Sequence, residues 1–478
     1  MLILSTSVGS ASEVPIAWPR LGICRRRPTR STGAPTRIPK GRTTMSALPS
    51  RPLRRTLLVS GVALTAAVVL AGCGRASGDS EAAADTVVGD DAATGTVEFW
   101  AAGAEGEALP AFFEEFEKEN PDVTVNVTSI PESEFATKVS AAVAAGNVPD
   151  ATFLLSQSQA SMLATDAFAT VPDGLVDGGA FFDNMWDAAQ YDGAAHAVPW
   201  YTYAQAFYYR KDLADAAGVE APATWDDYPA FAEAMQAQGV KFPIGLSVEW
   251  NEYTAQQFND FSIQAGGSLI SDDHTEWTID TPENLAALET FTNLILDGYA
   301  SPDGPTFLDT VPWFTSGQIG AYVNGPWFPS WLDEANGEGW SSENLGVALN
   351  AAGPGGSTSA IGGGSLAVFE DAKNADAAWK LVRWMSQPET QVAWYERFGN
   401  LPAVEAAWDE PVIADDPFLT VIKEAIPMAS AVPAVPGWLE VSAMLGSEME
   451  RAARGQATPA DVLAAAQAKA DAIGTGVE

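Results

Sequence analysis

The chain has 478 residues, with 25 Lys+Arg against 62 Asp+Glu, a formal net charge of −37, and only two His and two Cys. A nucleic-acid binder needs a basic face to displace counterions from phosphates, and this balance argues against that class. His196 and His274 leave little room for a multi-histidine zinc site, and Cys24 and Cys73 exclude a disulfide framework or a four-cysteine cluster.

The charge is uneven along the chain. Residues 1–72 hold 11 of the basic residues and a single acid, Glu13, which leaves 14 basic and 61 acidic residues from Cys73 onward, a net charge of −47. A body of that charge is self-repelling and soluble. From Met45, Arg51, Arg54 and Arg55 form a positive region ahead of an apolar run from Leu57 to Leu70. That run has the length of a secretory signal and is too short for a comfortable membrane span of about 20 apolar residues. It ends in Leu70-Ala71-Gly72-Cys73, which resembles a bacterial lipobox and implies lipidation at Cys73. An ordinary signal peptide with an incidental cysteine is the alternative.

Residues 1–44 are rich in Arg, Pro, Ser and Thr, show no periodicity, and precede a complete signal with its own Met. They are expected to lie upstream of the true start or to form a disordered extension. Residues 73–93 are small, polar and acidic, and are expected to be a flexible tether.

About 385 residues remain for the folded body, more than one ordinary core holds. Thr96 to Trp100 alternates like a strand, Leu109, Phe112, Phe113 and Phe116 recur at helical spacing, and Val123 to Val127 alternates again. This β-α-β pattern predicts a parallel sheet. Thr224 with Asp227 and Thr458 with Asp461 read as capping boxes, and Thr281-Pro282 as another helix start. Asn374 opens a helix with Trp379, Val382 and Met385 on one face. Alternating strands and helices give an α/β class.

Motifs for catalysis and cofactors are mostly missing: the chain has no GxxxxGK[ST], GxSxG, HExxH or GxGxxG. No cofactor and no metal site is expected. Glycine clusters at 353–356 and 362–364 are either plain loops or backbone cradles. Carboxylate pairs are too numerous for any one pair to indicate a glycosidase site. Tryptophan is the informative residue. Trp200, Trp250, Trp327 and Trp438 fall in predicted loops or strand ends beside Pro, Gly or polar residues. A single indole there more often packs, but four on separate segments favour flat aromatic faces lining a sugar cleft. Trp100, Trp225, Trp379 and Trp384 lie on periodic faces and read as core.

In this order, VEFWAAGAEGEALPAFFEEFEKENPDVTV, KVSAAVAAGNVPDATFL, AVPWYTYAQAFYYRKDLADAAGVEAPATWDDYPAFAEAM, FTSGQIGAYVNGPWF, GGGSLAVFEDAKNADAAWKLVRWMSQPETQ and FGNLPAVEAAW resemble the extracellular solute-binding proteins of carbohydrate ABC importers. That group contains the maltose-binding protein, and the resemblance spans nearly all of residues 95–475. It implies a two-lobed periplasmic-binding-protein-like α/β fold with discontinuous lobes and a ligand cleft between them. The lobes are placed at 94–208 with 364–415, and at 209–363 with 416–478.

The resemblance implies a non-enzymatic, monomeric protein that binds a di- or oligosaccharide and delivers it to the importer's permease subunits, held to the outer face of the membrane through lipid alone. It places Trp327 and Trp438 as stacking platforms, with Trp200 and Tyr203 leading into the crossover. Glu249 and Trp250 lie on a ligand loop, and Glu105 and Gln157 donate or accept hydrogen bonds. Gly363 and Gly364 allow backbone to approach the ligand. Ala104 and Gln157 stand where the maltose-binding protein has acids, and Tyr203 where it has a glutamate, so maltose itself is not implied. The alternative from another class is a secreted carbohydrate hydrolase using a pair such as Glu105 and Glu249. An anion- or iron-binding relative is disfavoured, because the aromatic loops favour a sugar over phosphate and the adjacent Tyr208 and Tyr209 point to opposite sides of a strand.

Overall fold

A computed structural model describes residues 88–477. The expected extension, signal peptide, lipidation site at Cys73 and most of the tether lie outside them. Gly95–Ala102 (β1), Gly103–Glu119 (α1) and Val123–Ile130 (β2) form the predicted β-α-β unit, with β1 and β2 parallel. Val97, Phe99 and Ala101 are buried on one face of β1, and Leu109, Phe112, Phe113 and Phe116 of α1 pack into the same core. Ala151–Leu155 (β3) joins this sheet, followed by the helix Ser156–Leu163 (α2).

The chain then changes sheets. Val198–Ala204 (β4) belongs to the first sheet, and Ala206–Arg210 (β5), one residue later, to a second. Phe242–Gly245 (β6), Ile319–Asn324 (β7) and Leu345–Ala348 (β8) complete the second sheet in the order β8-β5-β7-β6. Glu252–Gln264 (α3), Pro282–Leu296 (α4) and Phe328–Asn336 (α5) belong to this half. Residues 349–360 carry the chain back to Ile361–Val368 (β9), which sits between β3 and β4. The short Leu401–Pro402 strand (β10) ends the first sheet, in the order β10-β4-β9-β3-β1-β2.

A wholly parallel sheet is therefore not what forms. β9 runs antiparallel to both neighbours, because it re-enters the sheet from the other half of the molecule. After a third crossing through residues 425–430, Trp438–Ala453 (α7) and Pro459–Ile473 (α8) pack on α3 and α4. Each half is thus built from separated stretches, with its own apolar core. A further cluster with Ala204, Ala206, Phe328, Trp408 and Ile422 bridges them.

The helix signals hold in detail. Thr281 accepts from the Asn284 amide ahead of Pro282, and Thr458 from the Asp461 amide. Thr224 and Asp227 form a capping box. Asn374 precedes the helix Ala375–Met385 (α6), but its side chain donates to the carbonyls of Thr94, just before β1, and Thr96, on β1, instead of capping.

The last residues of the expected tether are not loose. Arg383 donates to the carbonyls of Val88 (3.3 Å) and Gly89 (2.8 Å). Lys380, with its side chain almost wholly covered, lies 3.1 Å from Asp91 and 2.9 Å from Asp376. Ala93 is buried and donates to Asn120 (2.8 Å). A covered ammonium needs paired carboxylates, and Asp91 is one of the two. The segment is fastened from Val88 onward.

Candidate functional site

The chain passes from the first sheet to the second where β4 leads into β5, and Tyr203, Trp327, Trp331 and Phe307 form an aromatic cluster that begins at the end of β4. Tyr203, near the end of β4, is half-buried, and its ring lies 4.9 Å from that of Trp327 at 77°. Trp327 follows β7 through Asn324-Gly325-Pro326 and immediately precedes α5. One helical turn on, Trp331 lies 6.0 Å from Trp327, and Phe307 contacts Trp331 edge-on at 5.4 Å. Two glycines make room for these rings. A Cβ at Gly362 would stand 2.0 Å from the Tyr203 ring, and one at Gly325 only 2.3 Å from the Trp327 ring.

Two donors beside this cluster, Asn324 Nδ2 and Trp327 Nε1, are buried without a hydrogen-bond partner among the described residues. An unpaired buried donor costs about 1–3 kcal/mol. Acceptor oxygens brought by a polyhydroxylated ligand or by water would relieve that cost. Glu249 accepts from the Phe307 amide (2.8 Å), which fixes the Phe307 loop to the end of the second sheet. Trp250, with φ +55°, donates its indole N–H to Pro302 (3.0 Å) and packs half-buried on the second core.

On the first half, Glu105 and Gln157 follow the carboxyl ends of β1 and β3, where open α/β sheets place their ligands. Glu105, in the first turn of α1, accepts from Tyr201 Oη (2.8 Å) and Asn400 Nδ2 (3.3 Å). Gln157 is exposed.

Other expected site residues have different surroundings. Trp200 is 1 % exposed, enclosed by Phe153, Tyr201 and Trp394 at 5.1, 5.3 and 4.7 Å between ring centres. It is core, with no face left for a ligand. Gly363 and Gly364 are buried inside β9, where a Cβ would stand 2.1 Å from the Tyr201 and Leu154 carbonyls respectively. The close approach they allow is to β4 and β3, not to a ligand. Trp438 opens α7 with Trp277 as its ring neighbour at 6.3 Å, on the second core.

Trp331, Phe307, Asn324 and Tyr201 were missed by the sequence reading. Trp331 carried a usable signal, four residues beyond Trp327 and so on the same helix face. Phe307 carried none, since its contact is made only by the fold. Among the described residues no group of three or more His, Cys, Asp or Glu gathers as a metal site.

The family described as bacterial extracellular solute-binding protein matches residues 111–421. A Brucella abortus (strain 2308) protein described as a binding protein is 26% identical over 375 residues, which cover 76% of this chain and 89% of that one. The sugar-binding protein MalE of Xanthomonas citri superposes with a TM-score of 0.71 at 26% identity, over 79% of this chain and 97% of its own. The GacH receptor of Streptomyces glaucescens GLA.O, solved unliganded and with acarbose, gives 0.66 at 26% identity, over 80% and 98%. Nothing in these likenesses supports the hydrolase reading of Glu105 with Glu249.

Proposed function

The chain belongs to the bacterial extracellular solute-binding protein family, and from that membership we propose that it captures a neutral di- or oligosaccharide for an ABC importer. It works outside the cytoplasm and hands its ligand to the importer's permease. The observation that carries the sugar reading is the aromatic cluster of Tyr203, Trp327 and Trp331 at the passage between the sheets. Flat indole faces take the apolar C–H face of a sugar ring, while Asn324, Glu105 and Gln157 lie at hand for its hydroxyls. Its solved likenesses at 26% identity include a sugar-binding protein and a receptor solved with acarbose.

In this reading the lobes comprise 94–208 with 364–415 and 209–363 with 416–478, and the protein acts as a monomer without catalysis. A ligand that touches both lobes only when they are closed shifts the population toward the closed form. A thermal-shift screen of mono- and disaccharides tests this directly. A sugar at about 100 times its dissociation constant should stabilise the fold by about 2.7 kcal/mol. A panel in which no neutral saccharide raises the melting temperature, while an anionic solute does, sinks the sugar reading.

Anchoring belongs to the same proposal. Cys73 carries the lipid, and mass spectrometry of the membrane fraction should find the mature chain beginning at a modified Cys73. An unmodified thiol, or peptides from residues 1–44, would count against it.

A further inference from the structure

Beyond the three rings that carry the sugar reading, the aromatic path continues onto the surface. From Tyr203 through Trp327 and Trp331 to Phe307 the ring centres step by 4.9, 6.0 and 5.4 Å. Openness to solvent grows along it. The first three rings are half-buried, Phe307 is 43 % exposed, and its neighbour Leu308 is 88 % exposed. Large apolar side chains scattered singly over a surface need no explanation, but a contiguous row marks a binding surface.

The loop that presents Phe307 is fastened at both ends. Its Pro302 carbonyl accepts the Trp250 indole N–H (3.0 Å), and Asp303 holds Arg454 (2.9 Å). Thr306 donates to Asp309 (2.8 Å), and the Phe307 amide donates to Glu249 (2.8 Å). Glu249 and Trp250 follow the carboxyl end of β6, and Trp327 follows that of its parallel neighbour β7. Both strand ends open on the same edge of the second sheet, the edge at which α/β sheets place ligands. Phe307 is therefore held ready beside that edge, and little ordering of the loop is left for a ligand to impose.

We propose that Phe307, with Trp331 and Leu308, forms a distal subsite that makes the protein selective for linear neutral oligosaccharides of three or more units. The proposal deepens the sugar reading above and rests on it. Each step along the path is comparable to the length of one pyranose ring, so the first unit lies against Trp327 and the second against Trp331. A third unit is the first to reach Phe307. Its apolar C–H face covers Phe307 and Leu308, removing both surfaces from water. The charges about the loop exclude acidic units. Asp303 and Asp309 stand on it and Glu249 beside it, while the Arg454 guanidinium is already held by Asp303 and Glu450. A uronic or phosphorylated ring would face like charge there.

Titration calorimetry against malto-, cello-, manno- and xylo-oligosaccharides of two to five units tests the subsite. In the series that binds, affinity should rise about tenfold from two units to three, the gain of one aromatic contact. Phe307→Ala should abolish that rise and leave disaccharide affinity and the melting temperature at wild-type values, because the ring stands largely outside the core. Phe307→Tyr, which keeps a ring, should restore the rise. Equal wild-type affinity for two and three units overturns the proposal. So does a Phe307→Ala loss that is the same at every length, which would be a general disturbance of the site. Failure of every series to bind is a separate result: it sinks the sugar reading itself, and the subsite falls with it.

Discussion

Trp327→Ala is expected to weaken sugar binding by about 2–4 kcal/mol, the range for an aromatic anchor, and to leave the fold intact. The indole is only half-buried at the mouth of α5, with Tyr203 and Trp331 beside it. Its truncation opens no sealed core, because it is absent from the fully buried side chains. A sugar's C–H face set against it removes both surfaces from water at about 25 cal/mol per Å². Titration calorimetry with the sugar identified in the thermal screen gives the affinity, and a thermal melt gives the stability. Wild-type affinity combined with early melting would make Trp327 a packing residue and remove the main support for the sugar reading.

Trp200→Ala is expected to do the reverse. Its ring is enclosed by Phe153, Tyr201 and Trp394, and replacing a buried aromatic by alanine costs about 3–5 kcal/mol through lost burial and the cavity left behind. The indole N–H of Trp200 has no partner among the described residues, so its removal offsets a small part of that loss. Denaturant unfolding should show the midpoint falling, with the folded protein binding sugar as the wild type does. Unchanged stability with impaired binding would return Trp200 to the ligand site.

These two residues show where sequence reasoning reaches its limit. Both are tryptophans beside proline, and both read as ligand-site residues, Trp327 as a stacking platform and Trp200 on the strand leading into the crossover. β4 is apolar on both faces (Trp200, Tyr201 and Tyr203 lie within four residues), so it lacks the alternation that would say which side faces the core. Only its pairing with β9 and β10 decides that Trp200 points into the first core while Tyr203 reaches Trp327. The same holds for Gly363, with φ +112°. The sequence permits a close approach there, and the tertiary structure alone says that the approaching backbone is that of β4.

By itself the sequence determined the local pieces. The β-α-β opening and the caps at Thr224, Thr281 and Thr458 depend on periodicity and on hydrogen bonds within a few residues. The NGPW segment that carries Trp327 and the order of motifs that placed the chain in its family are likewise written locally. What the tertiary structure decided are the meetings of segments far apart in the chain: Tyr203 with Trp327, Phe307 with Trp331, Glu105 with Tyr201 and Asn400, and Gln205 with Ala360 and Ser430. The direction of β9 is of the same kind, because it depends on which half the chain returns from. The physical reason is common to all of them. A cap or a helical face is set by neighbours along the backbone, whereas a contact across the passage between two sheets exists only once both cores have formed and brought their edges together.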